Sequence, residues 1–255
     1  MTAPFFVDSL APMTEAAVDF LLCKSGGVLP LAWGRYLDAD LTHDIETAAA
    51  HGIPLLLIAR RSSRVCMGRE AGTHDGAEDR ATAEHWIALA ASKGASVLRS
   101  VFLDVEQEPD LTSDYWHAWS AAFDGAEVVP CIYAPNRNWW PASWAALESA
   151  VAAGARCGGA WVAMYHQAVD GSAVLRDESW LGRPRASERV PFLAWQHTGN
   201  AYQQRYDFSA PNPNAMDWLA DTLPRAPDTL RSPEPPRAAA DDPAPLATAA
   251  QGGST

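Results

Sequence analysis

VLRSVFLDVE, residues 97–106, is a strand-length apolar run that breaks off in two carboxylates. Side chains two residues apart on a strand share a face, about 6.5–7 Å apart along it. Asp104 and Glu106 therefore point the same way. In a β/α barrel the C-terminal strand ends line one mouth, and that is where paired acids are placed for chemistry. The competing reading is a solvated strand end running into an acidic loop, which continues with Glu108 and Asp110.

Outward from this strand the chain alternates between strand and helix patterns. Upstream, PFFVD (4–8) reads as a first strand and residues 14–24 as a helix capped by Thr14 and ended by Gly26 and Gly27. VLPLAWGRY (28–36) is a second strand, followed by a helix from a Thr42 cap to about His51. IPLLLIAR (53–60) is a continuous apolar run suited to a strand buried on both faces. Residues 61–76 read as a polar, Arg-rich loop, and a long helix is expected over 77–93. Downstream, 112–123 is a helix capped by Thr112, EVVPCIYA (127–134) a strand, and 141–153 a helix with Pro at its start. GAWVAMY (159–165), PFLAWQH (191–197) and RYDF (205–208) complete about eight strands, and 214–223 reads as a closing helix. Parallel strands need crossovers, which the helices supply. The fold class expected is α/β: a TIM-type (β/α)8 barrel, or a slightly irregular one, over residues 1–223. A doubly wound open sheet competes, but no glycine-rich phosphate loop follows the first strand. Residues 224–255 are rich in Pro, Ala, Asp and Ser and are expected to be a disordered tail.

Composition removes several function classes. The chain has 255 residues, 48% of them hydrophobic, enough for one sizeable core. Its net charge is -12 with a pI of about 4.9, which repels phosphate backbones and argues against nucleic acid as partner. No run of about 18 apolar residues is present, so no membrane span is expected. The N-terminus lacks a secretory pattern, so synthesis in the cytoplasm is expected, with release by lysis or a non-classical route. Cys23, Cys66, Cys131 and Cys157 are scattered without a CxxC pair. They read as reduced thiols in or near the core, not as a zinc site. No metal or cofactor is expected, and a monomer is.

Other polar and aromatic residues gather at the same strand ends. Asp8 closes the first strand and Asp207 lies in the last, and neighbouring first and last strands in a closed barrel would let them meet. Tyr133, Asn136, Trp139 and Trp140 follow the fifth strand, Tyr165 the sixth, and Trp195, Gln196 and His197 the seventh. Aromatic faces stack on sugar C–H groups, and amides bond hydroxyls. Trp86, Trp116, Trp119 and Trp144, on helices, read as core. Arg35 has two open readings, a partner for the mouth carboxylates or a structural ion pair. His197 reads as a satisfied polar group rather than a proton-transfer partner. Two carboxyls, one protonated and one ionised, suit glycoside hydrolysis.

FFVDS, WGRYL, LTHDIE, HGIPL, VFLDVE, AWQH and YDFS, taken in order, resemble the glycoside-hydrolase-like barrel domains of actinobacterial proteins of unknown function. That group is related to glycoside hydrolase family 25 lysozymes, which cleave peptidoglycan between N-acetylmuramic acid and N-acetylglucosamine. The resemblance spans roughly residues 4–223. It implies Glu106 as proton donor, Asp104 as the carboxylate that stabilises the charged intermediate or orients the substrate, and Asp8 and Asp207 as supporting acids. The function expected is a lysozyme-like glycosidase acting on peptidoglycan or a related amino-sugar polymer. A non-catalytic carbohydrate-binding barrel is the alternative. A metal-dependent phosphodiesterase is less favoured, because His43 and His51 fall on a helix.

Overall fold

The computed structural model describes residues 4–60, 66–105, 111–164, 186–200 and 206–212. In order, the elements are β1 (Phe6–Asp8), α1 (Glu15–Lys24), β2 (Ala32–Tyr36), α2 (Thr42–His51), β3 (Leu55–Arg60), α3 (Arg69–Lys93) and β4 (Val97–Asp104). They continue with α4 (Ser113–Ala121), β5 (Val129–Pro135), α5 (Pro141–Ala152), β6 (Ala160–Ala163), β7 (Phe192–Asn200) and β8 (Tyr206–Pro211). The eight strands close into a barrel in chain order, as the alternation implies. The barrel is the irregular kind: β1 to β7 run parallel, and β8 is antiparallel to both β7 and β1. The expected closing helix and tail lie outside the described residues. No described helix is long and apolar enough to cross a membrane.

Two apolar layers follow from strand alternation. Inside the barrel, Phe6, Leu56, Ile58, Phe102, Cys131 and Trp161 pack together. Between barrel and helices lies a larger cluster that includes Val7, Trp33, Leu57, Val101, Leu103 and Phe208. The helix tryptophans read as core are so: Trp116, Trp119 and Trp144 are fully buried and Trp86 is partly buried against the same cluster. Helix starts follow their caps in part. Thr14 and Thr112 each accept a backbone N–H through the hydroxyl. Thr42 is instead the first helical residue, and its own N–H is held by the Asp40 carboxylate.

The main departure is α3, which begins at Arg69 rather than at residue 77. Gly72 and Gly76 look like helix breakers in isolation. Here they form the face on which α4 lies. A Cβ on Gly72 would sit 2.4 Å from the Tyr115 carbonyl oxygen, and one on Gly76 2.7 Å from that of Trp119. The close crossing brings two buried acids onto α4: Asp75 accepts from the Tyr115 hydroxyl at 2.8 Å, and Asp79 from the Trp119 indole N–H at 2.8 Å. Tertiary contact outweighs the local cost of glycine. Replacing Gly76 by Ala, normally a helix-favouring change, is expected to destabilise the protein by about 1–3 kcal/mol, read as a lowered urea midpoint.

Candidate active site

Three of the four acids singled out in the sequence face the barrel interior at one mouth. Asp8 lies two residues beyond Phe6 and Asp104 two beyond Phe102, both inner-face residues, so alternation turns both acids inward. Asp207 stands directly across from Asp8 in the antiparallel β1–β8 pair, two residues before Ser209, which accepts the Trp161 indole N–H across the lumen at 2.9 Å. Asp8 is nearly inaccessible, whereas Asp104 and Asp207 are half-buried. Asp104 pairs in register with Tyr133 on β5. The β4 ladder ends at Asp104, with Val105 still donating its N–H to the Tyr133 carbonyl. Glu106 and Tyr165 lie outside the described residues.

Beside these acids, Tyr133 donates its hydroxyl to the Gln196 side-chain carbonyl on β7. The Tyr133 ring meets Trp161 edge-on at 5.0 Å, and Trp161 meets Phe102 the same way at 5.7 Å. Trp161 thus touches β4, β5 and β8 from β6, filling the lumen and closing the mouth from beneath. Gly34 was not singled out in the sequence, yet it is what admits Asp8: a Cβ there would fall 2.7 Å from the Asp8 Cβ. A glycine inside the strand pattern WGRY is the signal that finds it.

The other candidates divide. Trp139 is 53% exposed, whereas Trp140 packs partly buried against the outer core. Asn136 is buried and builds the turn, its amide oxygen accepting from the Asn138 N–H at 3.1 Å and its amide nitrogen pointing to the Met164 sulfur. Trp195 lies on the opposite face of β7 from Gln196, its indole N–H held by the Met164 carbonyl at 2.9 Å. His197 contacts the Thr198 hydroxyl at 2.8 Å.

Of the two readings of Arg35, the geometry gives the structural ion pair. Arg35 shares the outer face of β2 with Trp33 and sits 2.8 Å from Asp44 of α2, both side chains fully buried. Its guanidinium also donates to the carbonyls of Ser9 and Ala11 at 2.5 and 2.7 Å. Asp44 in turn accepts the Met13 N–H. The pair therefore pins the β1–α1 loop immediately after Asp8. Asp44 was missed in the sequence because an acid in the first turn of a helix ordinarily reads as dipole compensation.

Thiol chemistry does not compete with the acids. Cys131 is buried beneath the mouth, and burial pushes its thiol well above the ordinary value; burial also pushes Cys157 up to about 12. Cys23 is exposed, contrary to the expectation that all four thiols sit in or near the core.

No protein-family model matches the chain, and no curated protein does. Solved structures share the barrel. An uncharacterized protein of B. stearothermophilus aligns with a TM-score of 0.61 at 17% identity, over 87% of this chain and 100% of that one. The catalytic domain of endolysin ply40, from bacteriophage P40 of Listeria monocytogenes, aligns at 0.54 and 14% identity, over 87% of this chain and 98% of that domain. The Tat-secreted protein Rv2525c of Mycobacterium tuberculosis, solved with L-tartrate, aligns at 0.51 and 8% identity, over 84% and 98%. At these identities the likeness is one of fold.

Two outcomes follow from this geometry. Arg35→Met leaves Asp44 as an uncompensated buried charge and is expected to cost about 3–5 kcal/mol. Arg35→Met combined with Asp44→Leu is expected to cost less than that single change, as measured by denaturant unfolding of the three proteins. The folded chain also keeps a proton on Cys157 that the unfolded chain loses, so stability is intact below the unfolded thiol value of about 8.5 and falls as pH rises from there toward 12. Between pH 8 and pH 10.5, Cys157→Ala is expected to lose less stability than the parent in matched urea titrations.

Proposed function

We propose that this chain is a lysozyme-like glycoside hydrolase acting on peptidoglycan or a related amino-sugar polymer. The observation that carries the reading is the inward-facing set Asp8, Asp104 and Asp207 at one mouth of the barrel, with the Tyr133–Gln196 pair beside it. One fold neighbour is an endolysin catalytic domain, which is in keeping with it. So is the resemblance of VFLDVE and its companion segments to the barrels related to family 25 lysozymes.

In this reading Glu106 donates its proton to the glycosidic oxygen as the C–O bond breaks. Asp104 stabilises the positive charge that develops on the sugar ring, directly or by orienting the substrate's acetamido group. Water then adds to the anomeric carbon, and its proton returns to Glu106, so the acid is regenerated. Asp8 and Asp207 hold polar substrate groups in the cleft. Tyr133 and Gln196, bonded to each other, form the wall beside the acids, and the exposed Trp139 supplies a stacking face. The reaction consumes one water and needs no redox partner.

The test is digestion of purified peptidoglycan with mass spectrometry of the released fragments. The parent is expected to release disaccharide-containing products. Glu106→Gln and Asp104→Asn are expected to lower the rate by about 10²–10⁴-fold, with thermal unfolding unchanged within a few degrees. A Glu106→Gln protein that digests walls as fast as the parent would overturn the assignment. Tight wall binding with no product from the parent would select a carbohydrate-binding barrel instead.

A further inference from the structure

We propose that Tyr36, the last residue of β2, is a substrate-contacting residue of the mouth: its ring is the apolar wall on which a sugar bound at Asp104 and Asp207 stacks. The assignment rests on the glycosidase reading of this mouth and adds a contact that the acids do not supply. Arg35 points outward to Asp44, so alternation turns its neighbour Tyr36 into the lumen. There it packs, partly buried, against the inner apolar cluster.

Layer order places that ring. Inside a β/α barrel, side chains stack in layers of four, each layer drawn from alternate strands. Phe102 of β4, Trp161 of β6 and Ser209 of β8 share one such layer: the Trp161 ring meets Phe102 at 5.7 Å, and its indole N–H reaches Ser209 at 2.9 Å. Gly34 is the β2 member of that layer and supplies no side chain. Asp8 and Ile58 close over it instead, and a Cβ on Gly34 would lie 2.7 Å from the Asp8 Cβ and 3.1 Å from the Ile58 Cδ1. Two residues nearer the mouth on the same four strands stand Tyr36, Asp104, Ala163 and Asp207. In the closed strand order β2 is two strands from β4 and two from β8, so Tyr36 stands between the two acids in this layer. Ala163 is fully buried, whereas Tyr36, Asp104 and Asp207 are each partly open. The open side of the layer is therefore two carboxylates with a phenol ring between them. Carboxylates accept from sugar hydroxyls but give little to the C–H face of a ring, which an aromatic face covers. A tyrosine gives that area at small entropic cost, having only two torsions to hold. Tyr36 belongs to a strand, in register with Ile58 of β3, so the sheet rather than a loop fixes where it stands.

The test is calorimetric titration of an alternating N-acetylglucosamine–N-acetylmuramic acid tetrasaccharide into full-length Glu106→Gln protein, a background that leaves the ligand intact. Added to that background, Tyr36→Ala and Tyr36→Leu are each expected to raise Kd about tenfold, and Tyr36→Phe to stay within about twofold. Without the Glu106 change, Tyr36→Ala is expected to raise KM on peptidoglycan by a similar factor with kcat nearly unchanged, the mark of binding lost equally from ground and transition states. Thermal unfolding of each variant separates a lost contact from a lost fold, and Tyr36→Leu, which keeps apolar bulk, carries the test if Tyr36→Ala does not fold. No saturable binding, unchanged affinity in a folded Ala or Leu variant, or an equal loss in Tyr36→Phe would each overturn the assignment. Product release by the parent tests the glycosidase reading separately: a parent that binds the tetrasaccharide through Tyr36 yet releases nothing removes hydrolysis and keeps the contact.

Discussion

The antiparallel return of β8 is the constraint on which the mouth of this barrel depends. A parallel eighth strand would bring its last residues to the rim that carries Asp8 and Asp104. The antiparallel strand brings its first residues there instead, and register sets Asp207 directly opposite Asp8. Because side chains alternate along a strand, a slip of one residue would turn Asp207 outward and Phe208 into the lumen. The outer core forbids that slip: Phe208 is wholly buried, with its ring 6.0 Å from Phe5 and 6.4 Å from Tyr206. Apolar packing outside the barrel thus fixes which acids look inside it.

A second constraint comes from polar groups buried in and around the sheet. Burying a donor or an acid without a partner is costly, and several large side chains here are paired across elements. The Trp144 and Trp116 indoles donate to the carbonyls of Pro135 and Arg156, Trp119 to Asp79, Trp161 to Ser209, and Trp195 to Met164. Among the described residues, these five tryptophans are therefore explained by architecture: each ring fills volume and ties one element to another by a single directional bond. Arg35 and Asp44 do the same with charge, and their target is the loop that leaves Asp8.

The legible part of this structure was its periodicity. Continuous apolar strands, Gly-ended helices and Thr caps located most of the barrel, because those signals are local. The acids of the mouth were legible for the same reason, since a strand that runs from apolar residues into Asp or Glu declares its own end. What escaped was everything decided between elements. Gly72 and Gly76 read as loop because their value lies in the approach of α4. Trp195 and Gln196 both read as sugar contacts at one strand end, although a strand turns adjacent side chains to opposite faces. Trp139 and Trp140 were grouped likewise, and only the first is substantially exposed.

Surface charge and site chemistry bear on each other. A net charge of -12 disfavours any approach led by long-range attraction to an anionic polymer, and peptidoglycan carries carboxylates of its own. Between exposed charges that repulsion is screened beyond about 8 Å at physiological ionic strength. In the proposed reading, recognition at the mouth rests on contacts shorter than that, such as a sugar C–H face against the exposed Trp139. The same acids that give the surface its sign are, at the mouth, held inward by strand alternation and walled by Trp161. In that reading their charge would act on a bound ring over a few ångströms of poorly screened space, the range at which a carboxylate steadies a developing cation.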